Sequence, residues 1–213
     1  EVVVFVPGFN SNLNNSAATF AQFIALAGYP KRLVPWLYQW PAGDVFHFYQ
    51  AIEMAQSTAL QDLMADFLID LVESGVTKIS IVGHSMGARI VSQFLSSRGR
   101  SIFGDDQGSG RCELINLILI QPELELETFV QLGPVLELLA KTITIYADCE
   151  DRALFWAEFW GSGPSLGRSV NPVLRGNPPP SIYGHFEQLS TNHDMSFPLM
   201  DVDIIDTSSL QSN

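Results

Sequence analysis

Lys78-Ile79-Ser80-Ile81-Val82-Gly83-His84-Ser85-Met86-Gly87-Ala88-Arg89-Ile90-Val91 is the stretch whose reading decides the fold. Lys78 to Val82 is a strand by its apolar character, and Met86 to Ser97 continues as a helix carrying Ala88, Ile90, Val91 and Phe94. Between them Gly83-His84-Ser85-Met86-Gly87 is G-x-S-x-G in strand-turn-helix context, the pattern of a nucleophile elbow. Its two glycines permit a turn too sharp for neighbours with large side chains. The Ser85 hydroxyl then projects above the sheet, and the N–H of Met86, at the start of the helix, points toward a developing oxyanion. His84 occupies the x position, faces away from the serine's partner, and reads as a packing residue at the strand end.

On either side of this stretch, short apolar runs alternate with segments of helical period. That is the signature of an α/β fold with a mostly parallel sheet flanked by helices. Val2 to Val6 is a strand buried on both faces, ended by Pro7-Gly8. Asn15-Ser16 caps a helix that runs to Gly28, and Trp36 to Trp40 is a second strand between Pro35 and Pro41. The longest helical pattern runs from about Val45 to Ser74. Arg98 to Arg111 suits a surface loop. Leu114 to Ile120, Thr142 to Ala147 and Val202 to Ile205 are further strands, with a helix over Leu126 to Ala140 that bends or breaks near Pro134. An aromatic helix over Asp151 to Trp160 reads as core packing, and with the Pro- and Gly-rich stretch after it could instead form a lid over an acyl pocket. The expectation is a single domain over residues 1–213, with an irregular excursion at 161–200. The start at Glu1 falls inside a strand, so the domain reads as truncated at both ends.

The 213 residues are 46% hydrophobic and 16% charged, enough to bury a full core. A formal charge of −12 makes this an acidic protein and works against nucleic acid as a partner. Cys112 and Cys149 form no C-x-x-C pair, and no metal-ligand spacing, P-loop or dinucleotide fingerprint occurs. Gly161-Ser162-Gly163 has Leu166 where a third glycine is required. Neither a cofactor nor a metal is expected, and no apolar run is long enough to be a transmembrane segment. His47 reads as a solvated helix cap.

An elbow needs a second oxyanion donor and an acid. Val6-Pro7-Gly8-Phe9-Asn10 follows the first strand, so the Phe9 N–H joins that of Met86 as the expected oxyanion pair. Asp148, Glu150 and Asp151 follow the strand ending at Ala147. Asp148 through Asp151 also has the spacing of a helix cap, and position alone does not choose among the three carboxylates.

Four blocks together carry a resemblance. Val4-Phe5-Val6-Pro7-Gly8-Phe9-Asn10, Trp40-Pro41-Ala42, Gly83-His84-Ser85-Met86-Gly87, and Tyr146-Ala147-Asp148 with Asp151-Arg152-Ala153-Leu154 occur in the order of the FVHGFN, WPS, HSMG and DxAL motifs. These motifs belong to an uncharacterised esterase/lipase-like family of the alpha/beta-hydrolase superfamily. Ser165-Leu166-Gly167 is similar to that family's R-x-G segment. The resemblance implies an alpha/beta-hydrolase fold and a serine hydrolase acting on a small-molecule acyl ester through a Ser-His-Asp triad, with Asp151 as the acid. It also shows a departure, since Pro7 stands where the family has histidine.

The triad histidine of that family follows an IDxS motif, which Ile205-Asp206-Thr207-Ser208 resembles, and Ser209 to Asn213 contain no histidine. Three readings stand open. The base lies beyond Asn213, or it is His193 or His185 brought in by a loop, or it is absent. In the last case the domain is a catalytically inactive hydrolase fold with a binding or structural role, and a protein partner replaces the substrate.

Overall fold

Val2–Val6 (β1) is buried at every position, as an unbroken apolar strand covered on both faces must be. It pairs with Val34–Leu37 (β2) on one side and Lys78–His84 (β3) on the other. Glu113–Ile120 (β4), Ala140–Ala147 (β5) and Val202–Asp206 (β6) add in turn, giving a six-stranded sheet of order β2-β1-β3-β4-β5-β6. The computed structural model describes residues 1–43, 47–104, 110–159, 163–168 and 202–208. Every pairing among the described strands is parallel, so the expected α/β sheet is parallel throughout.

Helices among the described residues include Leu13–Leu26 (α1), Phe48–Ala55 (α2), Thr58–Glu73 (α3), Met86–Phe94 (α4), Arg100–Phe103 (α5), Leu126–Leu139 (α6) and Arg152–Ala157 (α7). Side-chain alternation along β1 sorts the core into two layers. Val2, Val4 and Val6 join Ile79, Ile81 and the apolar faces of α3, α4 and α6. Val3 and Phe5 join Val82 and Phe20 on the opposite face, where Phe5 stacks on Phe20 at 5.0 Å between ring centroids.

Several boundaries differ from the sequence reading, each for a local reason. Asn12 caps α1 in place of Asn15, its side chain accepting the Asn15 N–H at 2.9 Å. β2 lies earlier than Trp36 to Trp40 and contains Pro35, which an edge strand tolerates because one side of it has no ladder to complete. The single long helix is two, because the Ser57 hydroxyl accepts the Leu60 N–H at 3.2 Å and starts α3. Helical structure continues from α4 through a π-helical turn at Leu95–Gly99 into α5, past the expected loop start at Arg98. Pro134 lies inside α6 without ending it, as burial of Leu126, Phe129, Leu136 and Leu139 holds the helix across the missing N–H. Most of the irregular excursion lies outside the described residues. Among the described residues no helix is long and apolar enough to cross a membrane.

The sheet order places the site. From β1 the chain passes to β2 on one side and then to β3 on the other, and open α/β sheets bind ligands beyond the carboxyl ends of their strands at such a reversal. Val6 is the register partner of Gly83, so the Pro7-Gly8 turn and the Ser85 turn leave the sheet side by side. The first turn of α4 closes on this gap. A β-carbon at Gly87 would be driven into the Val6 carbonyl oxygen and would stand 2.6 Å from that of Pro7. Gly87→Ala is therefore expected to destabilise the protein by about 1–3 kcal/mol or more, read as a lower midpoint in urea unfolding.

Candidate active site

Ser85 has φ 52° and ψ −121°, left-handed backbone in which a non-glycine residue stores about 1–3 kcal/mol of strain. Three backbone bonds hold it there. Its N–H donates to the Ile120 carbonyl at 2.9 Å, while its carbonyl accepts from the N–H groups of Ala88 at 3.0 Å and Glu123 at 3.1 Å. Among the described residues its hydroxyl makes no hydrogen bond, and the residue is half-buried at the carboxyl edge of β3.

The loop after β1 packs directly on this turn. A β-carbon at Gly8 would lie 2.8 Å from the Ser85 β-carbon and 3.1 Å from His84 Nδ1, so only glycine lets the loop approach so closely. The Trp40-Pro41-Ala42 block secures the loop from behind. The Trp40 indole N–H donates to the Pro7 carbonyl at 2.8 Å, the Asn10 N–H donates to the Ala42 carbonyl at 3.2 Å, and Gln39 Nε2 donates to the Ser11 carbonyl at 2.9 Å. Among the described residues the N–H groups of Phe9 and Met86 carry no hydrogen bond, and both belong to the backbone turns that flank Ser85.

Of the three acidic residues after β5, Asp148 is fully buried and Oδ1 of its side chain accepts the Glu150 N–H at 2.8 Å, which shapes the loop from within. Glu150 is exposed. Asp151 is the N-cap of α7, its Oδ1 accepting the Leu154 N–H at 2.9 Å, so the expected helix cap is present and falls on Asp151. The Asp151 charge reaches the imidazole of His84. Burial lowers the His84 pKa below its ordinary value, while Asp151 and a side-chain hydrogen bond with Gln121 pull it the other way. His84 thus packs at the strand end, as its position implies, and also touches the electrostatics of the acid loop.

The chain leaving β6 lies against that same loop. Thr207 donates its N–H and hydroxyl to the Ala147 carbonyl at 2.8 and 3.0 Å, and Ser208 Oγ accepts the Cys149 N–H at 2.9 Å. The Ile205-Asp206-Thr207-Ser208 segment therefore ends beside the acid loop. His185 and His193 lie outside the described residues. His47 precedes α2, is exposed, and makes no side-chain cap.

Arg89 has no place in the sequence reading. It is 1% exposed on the core face of α4, with Nε donating to Glu123 Oε2 at 2.9 Å and to the Glu123 carbonyl at 3.1 Å. Nη2 reaches Glu123 Oε1 at 2.9 Å and Glu125 Oε1 at 3.0 Å, and Nη1 reaches Glu125 Oε2 at 2.9 Å. Burial opposes the Arg89 charge, but the two carboxylates outweigh it and raise the pKa. Burial pushes the Glu123 carboxyl up in spite of Arg89. One signal was available: an arginine among Ala88, Ile90 and Val91 on a helix this apolar needs a buried partner. Nothing in the spacing pointed to Glu123 and Glu125.

Residues 1–169 match the family model described as "Alpha/beta hydrolase of unknown function (DUF900)". No curated protein sequence matches the chain. Among solved structures the chain is similar to phospholipase PlaB from Legionella pneumophila, at 15% identity and a TM-score of 0.44 over 71% of this chain and 39% of that one. It thus spans about two fifths of the length of that phospholipase. The ydeN gene product of B. subtilis is similar at 13% identity and a TM-score of 0.45, over 90% of this chain and 100% of that one. LpqC, a poly(3-hydroxybutyrate) depolymerase from Bordetella parapertussis, is similar at 14% identity and a TM-score of 0.46, over 96% of this chain and 71% of that one. The family assignment rests on the family model.

The His84 environment has a pH consequence. Its folded pKa lies below the unfolded value near 6.5, so the unfolded chain binds the proton first as pH falls. Stability contributed by neutral His84 is present above that unfolded value and is lost as pH drops through the lowered one. Between about pH 7 and 5 the wild-type protein is expected to lose more stability in urea unfolding than His84→Gln does.

Proposed function

The chain belongs to the alpha/beta-hydrolase family of unknown function whose model it matches, and from that premise we propose that it is a serine hydrolase of esterase/lipase type acting on a small-molecule acyl ester. The observation that carries the proposal is the left-handed Ser85, its hydroxyl unpartnered among the described residues, with the Gly8 loop packed against it. Holding a serine in this strained backbone costs free energy that core packing alone does not require, and strain of this kind clusters at reacting groups.

In this reading Ser85 Oγ attacks the ester carbonyl carbon as a histidine takes the hydroxyl proton. The carbonyl π electrons move to oxygen, and the N–H groups of Phe9 and Met86 donate to the oxyanion, a contribution of about 10²–10³ in turnover per donor. Collapse of the tetrahedral adduct expels the alcohol, which takes the proton from the imidazolium. Water repeats the sequence on the acyl-serine to release the acid. Asp151 orients the imidazole and stabilises its charged form. Support for Asp151 over Glu150 comes from its half-buried place at the start of α7 and from its charge reaching the strand end at His84, whereas Glu150 is exposed. Asp148 is the carboxylate that shapes the loop. The base is His193 or His185, or a histidine following Asn213 in a longer form of the protein. The whole unit over residues 1–213 works as one domain in this proposal.

A fluorophosphonate probe tests it, because only an activated serine is phosphonylated. Ser85 is expected to label in the wild-type protein and not in Ser85→Ala. Loss of the catalytic histidine lowers the rate by up to about 10⁶. A rate that collapses in His193→Ala or His185→Ala names the base, and labelling confined to a longer form places the base after Asn213. No labelling in any form overturns the hydrolase and favours the inactive, binding role that Pro7 in place of histidine suggests.

A further inference from the structure

We infer that Arg89 is the positioning residue of the Ser85 elbow: its buried guanidinium grips Glu123 and Glu125 and so fixes the loop whose backbone holds the Ser85 carbonyl. The inference rests on the reading of Ser85 as the nucleophile. Arg89 follows Ser85 by one helical turn, and its fork takes hold of both the carboxylate and the carbonyl of Glu123. The N–H of that same Glu123 donates back to the Ser85 carbonyl. Ser85, the first turn of α4, Arg89 and Glu123 form a closed ring, and one member of it is the strained residue.

The loop also ties the elbow to the acid. The Pro122 carbonyl accepts the Gly167 N–H at 3.0 Å, the Gly167 carbonyl accepts the Asp148 N–H at 2.8 Å, and the Asp148 carbonyl accepts the Asp151 N–H at 3.2 Å. A shift of residues 121–125 therefore moves Ser85 relative to Asp151. A second anchor fixes the far end, where Glu125 pairs with Ser165 and the Leu166 N–H donates to the Leu124 carbonyl at 2.7 Å. A buried ion cluster seldom adds stability over apolar packing of the same volume. A planar fork satisfied by two carboxylates and a carbonyl does fix geometry, which a lysine or an apolar side chain cannot reproduce.

The test compares the wild-type protein with Arg89→Lys, which keeps the charge but loses the fork, and with the charge-neutral Arg89→Met/Glu123→Gln/Glu125→Gln. Two readouts are taken on folded protein: amide hydrogen exchange by residue, and fluorophosphonate kinetics resolved into KI and kinact. Exchange at Ala88 and Glu123 is expected to rise about tenfold or more while the β4 and β5 amides keep their wild-type rates. The value of kinact falls by about tenfold to 10²-fold at unchanged KI, the scale of a misplacement near 1 Å. Wild-type exchange at Ala88 and Glu123 in either variant, or acceleration spread evenly over the chain, overturns the inference. In the wild-type protein alone, Glu123 must exchange as slowly as the β3 core, and fast exchange there also overturns it. If the wild-type serine does not react, the nucleophile reading fails, and the exchange measurement still decides the clamp.

Discussion

The contact between the first turn of α4 and the end of β1 is the constraint to which the rest of the site answers. A helix can come this close to a neighbouring strand only where its residue at the contact carries no side chain, and Gly87 against the Val6 and Pro7 carbonyls meets that condition. Gly83 and Gly8 meet it again, the first against Ala88 and the second against Ser85. With the helix drawn in, Ser85 takes φ 52°. The same closeness puts the turn after β1 beside the serine.

A strained residue persists only where its surroundings over-determine it. Here the determination comes from three directions. β4 supplies the Ile120 carbonyl, the helix supplies the Ala88 N–H, and the following loop supplies the Glu123 N–H. That loop is irregular backbone beside the Ser85 turn, the kind of segment that drifts unless tied. Arg89 ties it from below and residues 163–168 tie it from the side. Trp40 does the corresponding work for the loop after β1, through an indole donor on the Pro7 carbonyl. The Trp40-Pro41-Ala42 block thereby acquires a physical meaning, since its conspicuous side chain anchors a neighbouring turn from a position outside β2.

Legibility followed the range of the interaction. The strands β1, β3, β4 and β5 stood out because a parallel strand buried on both faces is an apolar run whatever its neighbours are. The elbow stood out because G-x-S-x-G between such a strand and an amphipathic helix is a local pattern. The cap of α1 shifted from Asn15 to Asn12, because several polar residues in a row can each accept the first free N–H groups, and Ser57 starts a second helix inside what reads as one long helical pattern. β2 was read too late because Trp36 and Trp40 look like strand residues, while the edge position of the strand admits Pro35 and leaves Trp40 outside. Among the acidic residues after β5, the sequence offered three carboxylates, and burial distinguishes them: Asp148 turned inward to its own loop, Glu150 outward, Asp151 at the helix start.

By itself the sequence determined the parallel α/β architecture, the turn at Ser85 and the loops that converge on it, since all of these are written in hydrophobic period and glycine placement over a few residues. Only the tertiary structure decided which strand lies beside which, and hence that the turns after β1 and β3 leave the sheet side by side. It alone showed that Glu123 and Glu125 answer Arg89 and that the end of β6 rests on the acid loop. These are pairings between residues far apart in the chain, set by sheet order and by the charge and hydrogen-bond balance of a filled interior, and no local spacing records them.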